Sequence, residues 1–100
     1  MNKLELEITG KAYNDIEIIT DYIAQDNKIA ASKMVKLFLE TFQVLCLHPN
    51  IGTYRKDFTY MDVKFYVLKK HYLIVYRVID NTKLRILRIL TAYQDICSQL

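Results

Sequence analysis

Residues 72–91 read YLIVYRVIDNTKLRILRILT, and this stretch decides the fold. Two runs rich in β-branched, aromatic and aliphatic residues, 72–79 and 84–91, flank Asp80-Asn81-Thr82-Lys83, whose residues favour a turn. So short a connection makes the two strands antiparallel neighbours. In the first, Tyr72, Ile74, Tyr76 and Val78 point one way, and Leu73, Val75, Arg77 and Ile79 the other. In the second, strict alternation puts Leu84, Ile86 and Leu90 opposite Leu87 and Ile89. Upstream, residues 63–69 have the same character and reach the hairpin through a turn at Lys70-His71. Residues 63–91 are therefore expected to form a three-stranded meander.

Further upstream the period changes. Ala12, Ile16, Ile19 and Ile23 recur at steps of four, three and four, with Tyr22 widening the stripe and Asp15, Glu17 and Asp21 off it. That spacing predicts an amphipathic helix from about residue 11. Asp26-Asn27 supplies a stop and an N-cap for a second helix over 28–47. Its apolar positions are Ala31, Met34, Val35, Phe38, Phe42 and Leu45, while Lys33, Lys36 and Glu40 face elsewhere. Helices joined this closely form an antiparallel hairpin. His48-Pro49-Asn50-Ile51-Gly52 ends it, and residues 53–62 read as a loop. At the N-terminus, Leu4-Glu5-Leu6-Glu7-Ile8 alternates as a half-buried strand before Thr9-Gly10 interrupts it.

The predicted class is α+β, in the order β-α-α-β-β-β, with the helical hairpin packed on one face of a mainly antiparallel sheet. The other face is also apolar. Either residues 91–100 fold back over it, or a partner covers it.

Composition agrees with one domain over residues 1–100: 52% hydrophobic, 25% charged, and only two glycines and one proline. No apolar run approaches the ~20 residues of a membrane span, and no signal-peptide core is visible, so a cytoplasmic protein is expected. Cys46 and Cys97 have no metal-ligand spacing and read as small buried hydrophobes. The net charge of +3 is divided unevenly. Residues 1–50 carry five basic and seven acidic side chains, and residues 51–100 nine and four. The basic half suits phosphate or an acidic protein surface, or simply solvates one sheet face.

Catalytic motifs are scarce. His48 and His71 have no nucleophile beside them, Gly10 and Gly52 cannot build a phosphate loop, and no metal set or cofactor is expected. Metal-free RNA cleavage is the one chemistry such a sheet supports, since it needs a base, an acid and cations around a phosphate. Its candidates are Lys69, Lys70, His71, Arg77, Arg85 and Arg88, interleaved with Tyr66, Tyr72 and Tyr76. Arg77 and Arg85 lie in adjoining strands, close enough to share one phosphate.

Several segments together resemble the RelE/ParE superfamily of bacterial toxins. They are Asp21-Tyr22-Ile23-Ala24-Gln25-Asp26-Asn27, then Phe42-Gln43-Val44-Leu45 leading into His48-Pro49-Asn50-Ile51-Gly52-Thr53-Tyr54-Arg55. The last two strands and Asp95-Ile96 continue the similarity, which spans roughly residues 4–96. The resemblance implies the toxin of a type II toxin-antitoxin module of the plasmid-stabilisation kind, neutralised by a small antitoxin protein. RelE-like members cut mRNA on the ribosome with strand cations and a C-terminal tyrosine or histidine; ParE-like members bind and poison DNA gyrase. The DYIAQDN and HPNIG segments are ParE-like. Leu73 stands where RelE-like chains carry an arginine, and Thr91 where they place the catalytic His or Tyr.

The resemblance therefore points to a toxin that binds gyrase, with no catalytic residues, metal, small-molecule cofactor or membrane association. The basic half supplies the candidate target-binding residues Arg55, Lys56, Arg77, Arg85 and Arg88. The antitoxin is expected on the apolar sheet face or along the helical hairpin. The alternative is a ribosome-dependent mRNA endonuclease using His71, Arg77, Arg85 and Tyr93. A third reading is a non-toxic member that only binds its antitoxin.

Overall fold

In the computed structural model, which describes residues 3–55 and 61–91, the hairpin over 72–91 forms the centre of the sheet. Its strands are β3 (Tyr72–Ile79) and β4 (Lys83–Thr91). Before them come β1 (Glu5–Ile8), α1 (Gly10–Asp26), α2 (Lys28–Leu47) and β2 (Lys64–Leu68). The strands lie in the order β1-β4-β3-β2, with β1 parallel to β4 and the other pairs antiparallel. The fold is α+β, two helices packed on a four-stranded mixed sheet. A parallel β1–β4 pair needs a long crossover, and the helical hairpin and the meander supply it.

Two turns close the meander. Lys69 and Lys70, at φ 53° and 62°, bring the His71 N–H to the Leu68 carbonyl at 3.2 Å. Asp80 and Asn81, at φ 51° and 58°, bring the Thr82 N–H to the Ile79 carbonyl at 3.0 Å. Two successive left-handed residues match the twist of the flanking strands.

β4 departs from strict alternation. Val75 pairs with Arg88 but Tyr76 with Ile86, so Leu87 is an extra residue, a β-bulge. The bulge reverses the parity beyond it. Ile89, not Leu90, joins Leu84 and Ile86 beneath the helices, while Leu90 packs with Val63, Phe65, Leu73 and Val75 on the outer face. Thr9 stabilises this kink from the side. Its hydroxyl lies 2.9 Å from the Ile86 carbonyl and 3.1 Å from that of Leu87, and its N–H donates to Ile86 at 3.1 Å. The same hydroxyl oxygen accepts from the Ala12 N–H and so caps α1.

A single residue joins the helices. Asn27 is extended; its N–H donates to Ile23 at the end of α1, and its side-chain oxygen accepts from the Ala30 N–H to start α2. Ala12, Met34, Phe38, Phe42, Leu45 and Cys46 form the inner core with Ile74, Tyr76, Leu84 and Ile86. Burial pushes the Cys46 thiol pKa up, Lys3 opposing it weakly. Four positions differ from the stripes read in the sequence. Thr41 is inside, its hydroxyl satisfied by the Leu37 carbonyl at 2.7 Å, whereas Val35 and Tyr22 are exposed. Asp15, expected off the stripe, is buried, because three residues beyond Ala12 it reaches the edge of β4.

The outer-face cluster of Val63, Phe65, Leu73, Val75 and Leu90 is buried. Residues 92–100, expected to fold back there, lie outside the described residues, as does Cys97.

Candidate functional site

On the outer face, one cross-strand row carries charge. Glu7 of β1 is in register with Arg85 of β4, and Arg85 with Arg77 of β3. Alternation points all three the same way, so the sheet rather than the sequence brings them together. The Glu7 carboxylate takes Arg85 in a fork, Nε to Oε1 at 3.0 Å and Nη2 to Oε2 at 3.4 Å. Arg77 is exposed and makes no ion pair among the described residues. Two arginines thus stand side by side on neighbouring strands, with one carboxylate on the far side of Arg85. Such a row is suited to a further anion, a phosphate or a carboxylate.

Arg88 belongs elsewhere. Its Nε and Nη2 donate to Asp15 at 2.7 and 3.0 Å, and the Ile89 N–H donates to the same carboxylate at 2.9 Å. β1 ends opposite Ile86, so beyond the bulge the edge of β4 has no strand partner and Asp15 takes that place. The hydrogen bond to Asp15 raises the Arg88 pKa, burial opposing it. This buried pair, with side chains only 20% and 10% exposed, holds α1 against the sheet.

The remaining candidates are dispersed. Arg55 is half-buried and already engaged; Lys56 and Tyr93 lie outside the described residues. His71 is exposed in the β2–β3 turn, six residues before Arg77 and roughly 20 Å away along the strand. Arg77 and Arg85 are thus brought together, and His71 is not. Leu73 packs in the outer apolar cluster, and Thr91 is paired with Tyr72. Among the described residues no group of three or more His, Cys, Asp or Glu side chains is placed to hold a metal ion.

The segment after α2 is fastened to the sheet. The Tyr76 hydroxyl donates to the Pro49 carbonyl at 2.7 Å and accepts from the Gly52 N–H at 3.0 Å. A Cβ at Gly52 would lie 2.3 Å from that hydroxyl oxygen, so only glycine fits. Burial raises the Tyr76 pKa, the Gly52 N–H opposing it and Tyr54 adding slightly.

Most of the exposed large apolar side chains lie on the helical hairpin, with a groove on either side of α1. One, about 460 Å³, is lined by Ile18, Ile19, Tyr22, Ile23, Tyr72 and the His71 turn. The other, about 370 Å³, is lined by Tyr13, Ile16, Val35, Phe38 and Leu39. Ile18 and Tyr22 are 60% and 73% exposed, a large apolar area for a free surface. Sequence periodicity missed the groove because it places Tyr22 on the core stripe and gives Ile18 no role.

A hairpin of helices on this mixed sheet, with a basic outer row and apolar grooves along α1, is the architecture of a small toxin of the toxin-antitoxin class. The chain belongs to the family described as ParE toxin of type II toxin-antitoxin system, parDE, which it matches over residues 6–96. It is similar to a solved structure from the chromosomal ParDE TA system from P. aeruginosa, with a TM-score of 0.72 and 26% identity. That alignment covers 89% of this chain and 96% of the other. No curated protein matches. Membership of a toxin-antitoxin family implies an antitoxin partner. Among the described residues no helix is long and apolar enough to cross a membrane.

Proposed function

We propose that this ParE-family toxin acts by binding: free, it inhibits DNA gyrase, and a cognate antitoxin neutralises it. The observation that carries the reading is the separation of charges on the sheet. Arg85, in register with Arg77, is held by the Glu7 carboxylate, and His71 lies roughly 20 Å from Arg77. At that distance His71 does not serve as general acid or base on a phosphate held by the two arginines. The apolar Leu73 supports the same reading, since it brings no cation to this face. The basic row is then the target-binding surface.

The antitoxin belongs on the helical hairpin, where the α1 grooves offer apolar area for an amphipathic segment. His71 lines the first groove, and Lys69 and Lys70 precede it in the same turn, a basic segment that favours an acidic partner.

The deciding experiment pairs a gyrase supercoiling assay containing ATP with a ribosome-programmed mRNA cleavage assay. Lost supercoiling with accumulated cleaved DNA and intact mRNA is expected. Cut mRNA with untouched gyrase would replace the proposal by the endonuclease reading, and inactivity in both would leave a chain that only binds its antitoxin.

A further inference from the structure

The two sides of β3 end differently. β2 begins at Lys64, opposite Tyr76, while β3 runs on to Ile79. Phe65 exchanges bonds with Thr53 on the outer side of β2, at 3.0 and 2.8 Å. Lys64 therefore turns its own N–H and C=O towards Tyr76, and two residues on, Val78 sends its pair in the same direction, past the end of β2. Among the described residues no strand meets Val78 on that side.

This open edge lines a cleft of about 440 Å³, within the range of small-ligand sites. Lys64 forms a fixed cationic wall, its ammonium 2.7 Å from the Asn50 side-chain oxygen and 5.3 Å from the centre of the Tyr54 ring. Arg77, Asp62 and Asp80 also line the cleft, and none of them forms an ion pair among the described residues. The cleft thus presents unspent charge of both signs beside an unused main-chain edge.

Geometry orders these features. A strand added antiparallel to β3 runs from the Asp80-Asn81 turn towards Lys64. There the start of β2 blocks it, so an incoming chain must end, and it ends beside Arg77 and Lys64. We infer that this cleft receives the C-terminal residues of an extended peptide: its main chain pairs with Val78, its terminal carboxylate meets Arg77 and Lys64, and a basic side chain upstream meets Asp80. A free amino acid supplies both charges but no amide to pair with Val78; a peptide end supplies all three. The site is separate from the apolar grooves, and the inference does not rest on gyrase as the target.

The test is a titration of the isotope-labelled full-length chain with acetyl-Arg-Val-Val, as free acid and as C-terminal amide, followed through backbone amide resonances. The acid should shift Val78 and Arg77, and the amide should bind about tenfold or more weakly, because one charge-assisted contact is lost. Arg77→Ala should show a similar loss with an otherwise native spectrum. Val78→Pro, which removes the edge donor, should weaken the acid as well. The inference is overturned if neither resonance moves at about 10 mM peptide, a concentration that detects millimolar binding. It is equally overturned if acid and amide bind alike, or if free arginine binds as well as the peptide. The comparison of acid with amide needs only the unaltered chain, so it decides even where a variant fails to fold.

Discussion

The N–H of Gly52 donates to the Tyr76 hydroxyl at 3.0 Å, and the same oxygen lies only 2.3 Å from where a Cβ on residue 52 would stand. One contact thus ties the segment after α2 to the sheet and excludes every side chain at that position. Gly52→Ala should destabilise the fold by about 1–3 kcal/mol, as overpacking does. Tyr76→Phe should cost about 1–3 kcal/mol by leaving the buried Gly52 N–H without an acceptor. Because the two residues touch, the double variant should lose less than the sum of the two. Urea denaturation of the four proteins measures the coupling.

The same tyrosine gives stability a pH dependence. Burial raises its pKa above the ordinary value of 10.0. On raising the pH, the unfolded chain therefore loses this proton before the folded one does. The contribution is complete below about pH 10 and is lost as pH climbs through the folded pKa. Denaturation midpoints should fall more steeply above about pH 10 in the natural chain than in Tyr76→Phe, where this group cannot ionise.

Two carboxylates with arginine partners should behave differently. Asp15→Ala removes the forked carboxylate from the largely buried Arg88 and leaves the Ile89 N–H without its acceptor, a loss of about 3 kcal/mol. Glu7→Ala breaks a pair that is 35% and 39% exposed, and should cost less than about 1 kcal/mol. Chemical denaturation of both variants checks the difference.

Binding variants should separate the two surfaces. Arg77→Ala with Arg85→Ala is expected to weaken gyrase binding by at least about tenfold while leaving antitoxin affinity unchanged, since charged contacts are worth roughly 1.5–3 kcal/mol each. Ile18→Asp with Tyr22→Asp should do the reverse, placing charge in an apolar groove. Titrations of each variant against both partners read this directly; equal losses for both would mean the surfaces overlap.

Much of the fold was legible along the chain because periodicity is a local property. The second helix runs over Lys28–Leu47 as its three–four spacing predicts, and Asn27 caps both helices. Where neighbours from distant segments compete, the local signal fails. Alternation in the last strand gave Leu90 to the inner face; the bulge at Leu87, bonded by Thr9, gives that place to Ile89. Asp15 reads as a solvated carboxylate until β4 is set beside it.

The candidate residues divide in the same way. Charge segregation put the basic side chains in the second half of the chain, but spacing cannot tell Arg85 from Arg88. One faces outward beside Arg77, and the other is held by Asp15 at the strand edge. The first groove was hidden because Tyr22 reads as part of the core stripe until the width of the sheet decides how much of α1 it covers.

By itself, then, the sequence determined the elements, their order and the family, because propensity, capping and hydrophobic period act within a few residues. Only the tertiary structure decided which carboxylates the arginines find and which apolar side chains stay outside, because register, bulge and helix placement are set by contacts more than seventy residues apart, such as Thr9 with Ile86 and Asp15 with Arg88.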